Sequence, residues 1–560
     1  MSDRETHDQD PSGSQKPATD GIVLERGKRL SESQLWPLTR RFYDEKGPAA
    51  WQDGPVPFYI TSNPFIAHAY AQLIVSYLRD LLMKAQRGPA GADSPEAAPL
   101  DPSKPIYIIE LAAGHGQLSF FLLKQLLPLI GASSLRRLKI RYVMTDFAES
   151  NLRAFQEQPQ LKPFVEAGVL DFARFDVERS DRLQLVNSGE LLSPESLCNP
   201  LIVIANYIFD TVLLDGFKVQ GGKLYEAMAT LYSPRPEARL EDADVLGDME
   251  TRFEHRPITL PYYEDDPALD RILALYAERL ADTHVVFPIA ALRCMRRLLA
   301  LSAGRMLVLS SDKGYASEDE LSYLSDSYVQ HHDSVLSTMV NFHALAEYVR
   351  GRGGYAALTT SRQVSLKTAA LLCGGSAEDF ADTLVSFQEH AEDFGPYDFY
   401  THVTALRSAS PQLTVEQIHG VIKLSRHDPS VFFDYSQQLV DNAAAAPESV
   451  RYELGLMLER LWEHFYPFGR DLPFELARVY LALGRPVEAL RYNEISLRLF
   501  GEHAVTLCNM AMCHYQAENL ESAMLCLDRS LALDPEYSLA KAWRARVRGE
   551  QERRTGIART

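Results

Sequence analysis

The chain has 560 residues, 46% hydrophobic and 24% charged, which is ordinary globular usage and too long for one compact core, so two or three domains are expected. Its formal charge of -18, from 57 Lys and Arg against 75 Asp and Glu, argues against a protein that coats nucleic acid by neutralising phosphate. The six cysteines lie far apart or at irregular spacing, with no C-x-x-C pair, so reduced thiols are expected and neither a disulfide frame nor a zinc site is indicated.

Residues 1–21 are rich in Asp, Ser, Gln, Pro and Gly and read as a disordered tail without a secretory or transit pattern. No later stretch holds about 18 uninterrupted apolar residues, so a soluble, cytoplasmic protein is expected. Helical patterns run over 32–45 and 66–85. In the second, Ile66, Tyr70, Leu73, Ile74, Tyr77, Leu78 and Leu81 form an apolar stripe of period 3.6. Residues 87–104, dense in Pro, Ala, Gly and Asp, read as an exposed linker.

The informative stretch follows. Residues 106–110, IYIIE, read as a buried strand; a small-residue turn carries Gly114 and Gly116; apolar periodicity over 117–129 then reads as a helix. Strand, glycine turn and helix place free helix N–H groups and a close-approach backbone where nucleotides dock. Further strands are expected at 138–146, 169–176 and 200–206, with a helix at 149–158, which implies right-handed β-α-β units and a parallel sheet. Ligands of such sheets bind beyond the carboxyl ends of the strands, where Glu110, Asp146, Asp176, Asn206 and Asp210 stand. Asp146 can receive both ribose hydroxyls or cap the next helix, Asp176 can receive an adenine amino group or stay solvated, and Glu110 sits close to a cationic ligand. Asn206 and Asp210 can orient a nucleophile and accept its proton, or only close a turn. His115 reads as a loop side chain rather than a base.

A dinucleotide enzyme would carry a third glycine where Ser119 stands. The form E-x-A-x-G-x-G instead looks like the first motif of class I S-adenosylmethionine-dependent methyltransferases. A closer resemblance is to the MidA-type family, which includes a mitochondrial complex I assembly methyltransferase, running piecemeal over 51–375. Residues 58–65, FYITSNPF, are similar to its G-D-F-x-T-S-P motif, and 109–118, IELAAGHGQL, to its E-x-G-x-G-x-G-x-L loop. Residues 205–217, ANYIFDTVLLDGF, are similar to its N-E-x-x-D-A-L-P segment, 307–315, LVLSSDKGY, to the strand closing in D-Y-G-Y, and 340–342, VNF, to its V-D-F step. The chain departs from the family at Ala112, where the loop has glycine, at Tyr207, where the family has glutamate, and at Leu213, where it has proline. The resemblance implies a Rossmann-like α/β fold that binds S-adenosylmethionine through Glu110, Ala112, Gly114, Gly116, Asp146 and Asp176. It also implies methyl transfer to an arginine-type protein side chain.

Residues 225–284 break the alternation and read as an insertion or lid; 285–300 reads as helical, 305–310 as a strand and 342–350 as a helix. His331 and His332 are expected in a polar loop rather than a metal site. From 376 onward helix follows helix. Ala477, Ala489 and Leu490 answer Ala511, Ala523 and Met524 at an offset of 34, and Asp534-Pro535 closes the second unit, which resembles tetratricopeptide repeats, clearest over 471–548. Weaker helices over 411–468 are expected to stack on them. Such an all-α solenoid presents a groove to a protein partner or substrate; the alternative is a structural or homodimerising appendage. The basic stretch 541–559 reads as a solvated terminal helix, with no nucleic acid or membrane partner expected. The expected organisation is thus a tail over 1–21, a methyltransferase domain over 22–375 and a helical domain over 376–560. Two further readings stay open: a small-molecule methyltransferase, and a scaffold that kept the fold without the chemistry.

Overall fold

The computed structural model describes residues 21–52, 59–87, 100–242, 244–332, 335–467 and 469–554. The expected disordered tail, most of the linker, Phe58 of the first family landmark and the last residues of the basic stretch lie outside them. Among the described residues, twelve strands build the two main sheets of the first part of the chain: β1 (Ile22–Arg29), β2 (Pro105–Glu110), β3 (Lys139–Asp146), β4 (Leu170–Arg174), β5 (Leu201–Ile204), β6 (Asp215–Gln220), β7 (Lys223–Ser233), β8 (Glu250–Pro257), β9 (Thr283–Phe287), β10 (Met306–Asp312), β11 (Tyr355–Leu358) and β12 (Lys367–Cys373). Seven form one sheet in the order β11-β12-β10-β5-β2-β3-β4. The run from β10 to β4 is parallel, whereas β12 lies antiparallel to both β10 and β11. Strands β2, β5 and β10 are buried almost through their length, and apolar until their carboxyl ends, because helices cover both faces of the sheet.

The helices of this part include α1 (Leu35–Lys46), α2 (Pro64–Arg87), α3 (Gln117–Ala132), α4 (Glu149–Glu157), α5 (Pro267–Arg279), α6 (Ile289–Leu301) and α7 (Phe342–Arg350), of which α2, α3, α4 and α7 pack against the seven-stranded sheet. The stripe read from the sequence of α2 is buried throughout, from Ile66 and Tyr70 to Leu81.

The insertion read over 225–284 is mostly a second sheet, β1-β7-β6-β9, with β8 added to β7. Strand β1 was not expected. Its register against β7 slips twice, between Val23 and Glu25 and between Glu25 and Lys28, and Gly27 takes a left-handed φ of 55°, so the period-2 signature is broken. Residues 285–287, read as the start of a helix, are the end of β9, and helix begins only at Ile289 after Pro288. His331 and His332 sit on a short strand, Gln330–His332, paired with Val335–Ser337, rather than in a loop. Among the described residues no group of His, Cys, Asp and Glu is arranged to hold a metal, and no helix is long and apolar enough to cross a membrane.

From residue 377 the chain is helical: α8 (Ala381–Phe387), α9 (Pro396–Ser408), α10 (Val415–Leu424), α11 (Pro429–Asn442), α12 (Glu448–Glu463), α13 (Leu472–Ala482), α14 (Pro486–Phe500), α15 (Ala504–Gln516), α16 (Leu520–Leu533) and α17 (Ser538–Arg554). Successive helices from α13 to α17 pack on one another, with Ala477, Ala489, Ala511 and Ala523 buried where they meet. Helix α17 is not simply solvated: Ala540 and Val547 are buried against the preceding helices.

This helical region is fastened to α2. Phe65 stacks on Phe399 at 4.4 Å between ring centres, and Tyr59 donates to Asp428 at 3.0 Å. The buried Asp80 carboxylate accepts from the backbone N–H of Asp382 (3.1 Å) and of Thr383 (2.8 Å) and from the Thr383 hydroxyl (2.7 Å). Removing a buried acceptor leaves its donors desolvated and unpaired, at about 1–3 kcal/mol each. Asp80→Ala is therefore expected to lower the unfolding free energy by about 2–4 kcal/mol, read as a lower urea midpoint, with Asp80→Asn costing clearly less because it keeps one acceptor oxygen.

Candidate functional site

The strand order reverses at β2: β3 lies on one side and β5 on the other, and the chain leaves β2 into the resulting crevice. Two backbone bonds fix the exit, Leu111 N–H to the Ile204 carbonyl at 2.9 Å and Ala113 N–H to the Thr145 carbonyl at 2.8 Å. The loop then turns through three left-handed residues, Ala112 (φ 49°), Gly114 (φ 59°) and Gly116 (φ 81°), and Gln117 opens α3 with its N–H on His115 Nδ1 at 3.2 Å. A Cβ on Gly114 would stand 3.0 Å from the Trp51 ring, and one on Gly116 would stand 2.8 Å from the Tyr466 hydroxyl. Glycine is thus required twice, by dihedral and by space. His115 is buried and its imidazole is pushed down to about 3 by desolvation, so it stays neutral and serves the loop, not proton transfer.

The strand-end acids divide. Glu110 Oε2 accepts from Tyr142 at 2.6 Å and from Ser119 Oγ, and burial raises its carboxyl to about 7. Ser119, where a third glycine would stand in a dinucleotide site, is thereby a partner of the first acid. Asp146 Oδ1 accepts from Ala148 N–H at 3.0 Å and Oδ2 from Gly114 N–H at 3.3 Å; burial raises it to about 6. Each oxygen keeps lone-pair capacity for a further donor. The structure does not bring Asp176 to this place: its carboxylate pairs with Arg40 at 2.7 Å and accepts from Glu178 N–H at 3.0 Å, away from the cavity lining. Arg40 in turn lies 4.1 Å over the ring of Phe147, which does face the cavity.

The opposite wall comes from the ends of β5 and β10. The Asn206 amide is held on three sides: Oδ1 accepts from the Tyr70 hydroxyl (2.6 Å) and Ser311 N–H (3.0 Å), and Nδ2 donates to the Thr61 carbonyl (3.2 Å). Tyr207 follows with a left-handed φ of 49°, aimed at the cavity where the resemblance would place a glutamate. Asp210 is 2% exposed, and its Oδ1 finds no hydrogen-bond partner among the described residues. Burial raises its carboxyl to about 6, with the Lys313 charge opposing. Asp312 lies behind it, accepting Asp210 N–H on Oδ2 (3.3 Å) and Lys313 N–H on Oδ1 (2.8 Å). Burial, and then the charge of Asp210, push Asp312 well above the usual carboxylate range, so it rests neutral and Asp210 takes the charge.

Together these groups line a cavity of about 840 Å³, in the range of small-molecule sites. Glu110, Ala112, Gly114, Asp146, Asn206 and Asp210 all face it. Tyr43, Trp51 and Lys313 also line it and were not singled out from the sequence, and His332, expected only in a polar loop, lines it too. Trp51 and Tyr43 reach it from helices before β2, and nothing in their local pattern marks them. The cavity suits a nucleoside-bearing cofactor: a carboxylate with spare acceptors at the end of β3, a backbone stripped of side chains at the loop, and an unpartnered buried carboxylate oxygen opposite.

No family model matches the chain, and no curated protein matches it either. An uncharacterized superfamily protein from Burkholderia thailandensis aligns with a TM-score of 0.35 and 14% identity, over 63% of this chain and 95% of its own. A second member of that superfamily from the same organism, bound to S-adenosyl-homocysteine, aligns with a TM-score of 0.34 and 12% identity over the same shares. An O-methyltransferase family protein from Burkholderia thailandensis aligns with a TM-score of 0.26 and 10% identity, over 61% of this chain and 65% of its own. These overlaps are loose, and the chemistry of the site is read from its own residues.

Ala112 carries a cost that a glycine would not. A left-handed backbone costs an L-residue roughly 1–2 kcal/mol, and the greater freedom of an unfolded glycine returns roughly 0.5–1. Ala112→Gly is expected to stabilise the protein by up to about 1 kcal/mol, measured by urea or thermal unfolding.

Proposed function

We propose that the chain is a cytoplasmic S-adenosylmethionine-dependent methyltransferase acting on a protein side chain, of the arginine type that the family resemblance implies. On this reading the tetratricopeptide-like helices recruit the protein partner. The observation that carries it is the placing of two buried carboxylates on one cavity beside the glycine loop: Asp146, with acceptors to spare, and Asp210, whose Oδ1 has no hydrogen-bond partner among the described residues.

When bound, S-adenosylmethionine supplies a methyl group already activated on a sulfonium, so the protein must align, exclude water and handle a proton. Asp146 receives the ribose hydroxyls. Gly114 would admit the cofactor to the backbone, while Gly116, packed under Tyr466, holds the turn into α3, with Ala112 and Glu110 closing the loop. Asn206, immobilised by Tyr70, Ser311 and Thr61, fixes the end of β5. Asp210 Oδ1 orients the incoming nitrogen and takes its proton, while neutral Asp312 supports the Asp210 backbone without competing for charge. A second reading, a binding scaffold without catalysis, is favoured by Tyr207 standing where the resemblance has a glutamate.

Calorimetry of the purified full chain with S-adenosyl-homocysteine tests the cofactor site that both readings share. The methyltransferase reading expects measurable binding that Asp146→Ala weakens at least tenfold; no heat with the wild type defeats both readings. Labelled-methyl transfer to protein in a cell extract distinguishes enzyme from scaffold, and label in small molecules alone would move the substrate class. Asp210→Asn is expected to leave cofactor affinity within about twofold and to cut transfer by about 10²–10⁴.

The pH profile has a defined sign. Asp210 is raised from 3.8 to about 6, so it is protonated and unable to accept below that value and competent above it. Transfer should rise through pH 6 and level off above about 7, and Asp210→Asn should remove that inflection. Asp146, also near 6 through burial, should make cofactor affinity rise over the same range, which Asp146→Asn would flatten.

A further inference from the structure

The helical region does more than sit beside the α/β region. Between α12 and α13, His464, Phe465 and Tyr466 enter the groove between α3 and the loop that precedes it. The His464 ring meets Phe121 edge-on at 5.9 Å, and its Nδ1 lies 3.1 Å from the His427 carbonyl. Phe465 stacks on Trp462 at 4.8 Å and anchors the segment in the helical core. Tyr466, 7% exposed, packs against Phe120 at 5.3 Å and donates its hydroxyl to the His115 carbonyl at 2.8 Å. That hydroxyl occupies the space a Cβ on Gly116 would need.

We propose that Tyr466 is a positioning residue of the glycine loop, so that the C-terminal helices complete the cofactor site. The loop needs such a hold. Three of its residues are left-handed, one of them an alanine that pays for it. The N-terminal half of the loop is tied to the sheet through Leu111 and Ala113, whereas the peptide between His115 and Gly116 receives its side-chain bond from Tyr466. Losing the hydroxyl leaves a buried carbonyl short of a donor and frees the loop to drift from the geometry that α3 and Asp146 require. The inference rests on reading this loop as the cofactor site, and the test below keeps the two apart.

Tyr466→Phe in the full chain removes one oxygen and keeps the ring, and Thr383→Val weakens the Asp80 fastening far from the loop. Hydrogen exchange of the ligand-free protein reads the loop directly. Tyr466→Phe is expected to speed exchange of the amides over 113–117 about tenfold, and Thr383→Val to leave them unchanged while lowering thermal stability. In calorimetry, Tyr466→Phe should raise Kd for S-adenosyl-homocysteine about fivefold to tenfold; Thr383→Val should not. Equal loop exchange in wild type and Tyr466→Phe, or the same effect from both variants, would overturn the proposal. Faster loop exchange in a protein whose wild type binds no cofactor would retire the cofactor reading and leave the latch standing.

Discussion

Two backbone hydrogen bonds, from Leu111 to Ile204 and from Ala113 to Thr145, set the position of everything at the site. They join the end of β2 to the ends of both neighbours at the point where the strand order reverses, so the loop cannot choose another exit. Once it is pinned there, the left-handed turns at Ala112, Gly114 and Gly116 follow, because the chain must reverse within a few residues to start α3. The side chains at the strand ends then fall on the rim of one cavity. A parallel sheet buried on both faces makes this placement rigid, since neither face can give without exposing apolar strand.

Burial is the second constraint, and it acts on charge. Glu110, Asp146, Asp210 and Asp312 all lie where water cannot solvate a carboxylate, and each is raised for that reason first. What differs is the supply of compensating donors. Glu110 has two hydroxyls and Asp146 has backbone N–H groups, so both are satisfied by the protein. Asp210 has an oxygen without a donor, and a buried acceptor in that state is costly unless something else arrives to fill it. Of these four acids, Asp210 bears that cost, beside the cavity and next to Asp312.

Much of this was legible in the residues. The apolar strands, the glycine turn and the strand-end acids carry local patterns, so β2 to β5, the loop, and the facing positions of Glu110, Asp146, Asn206 and Asp210 could be read directly. Strand β1 could not, because its bulges break the alternation, nor could β9, whose THVVF runs without a polar break into the apolar helix after Pro288. Strands β11 and β12, rich in alanine, lack the β-branched signature. Asp176 had the right position along its strand, but its partner Arg40 lies 136 residues earlier, and only the folded chain shows the pair. Tyr466 is 351 residues from the carbonyl it holds, so no window of sequence contains the interaction.

Helix α2 touches both halves of the chain beside the site. Its stripe of Ile66, Tyr70, Leu73, Ile74 and Tyr77 is buried against the sheet, and Tyr70 within it holds Asn206. The same helix begins at Phe65 stacked on Phe399 and carries Asp80, which receives the first turns of the helical region. The C-terminal helices thus meet the α/β region at two separate places, at α2 through Phe65 and Asp80 and at the glycine loop through Tyr466. An appendage tethered by a linker would make no such contacts; the buried bonds at Asp80, Asp428 and His115 pack the helices directly on the α/β region.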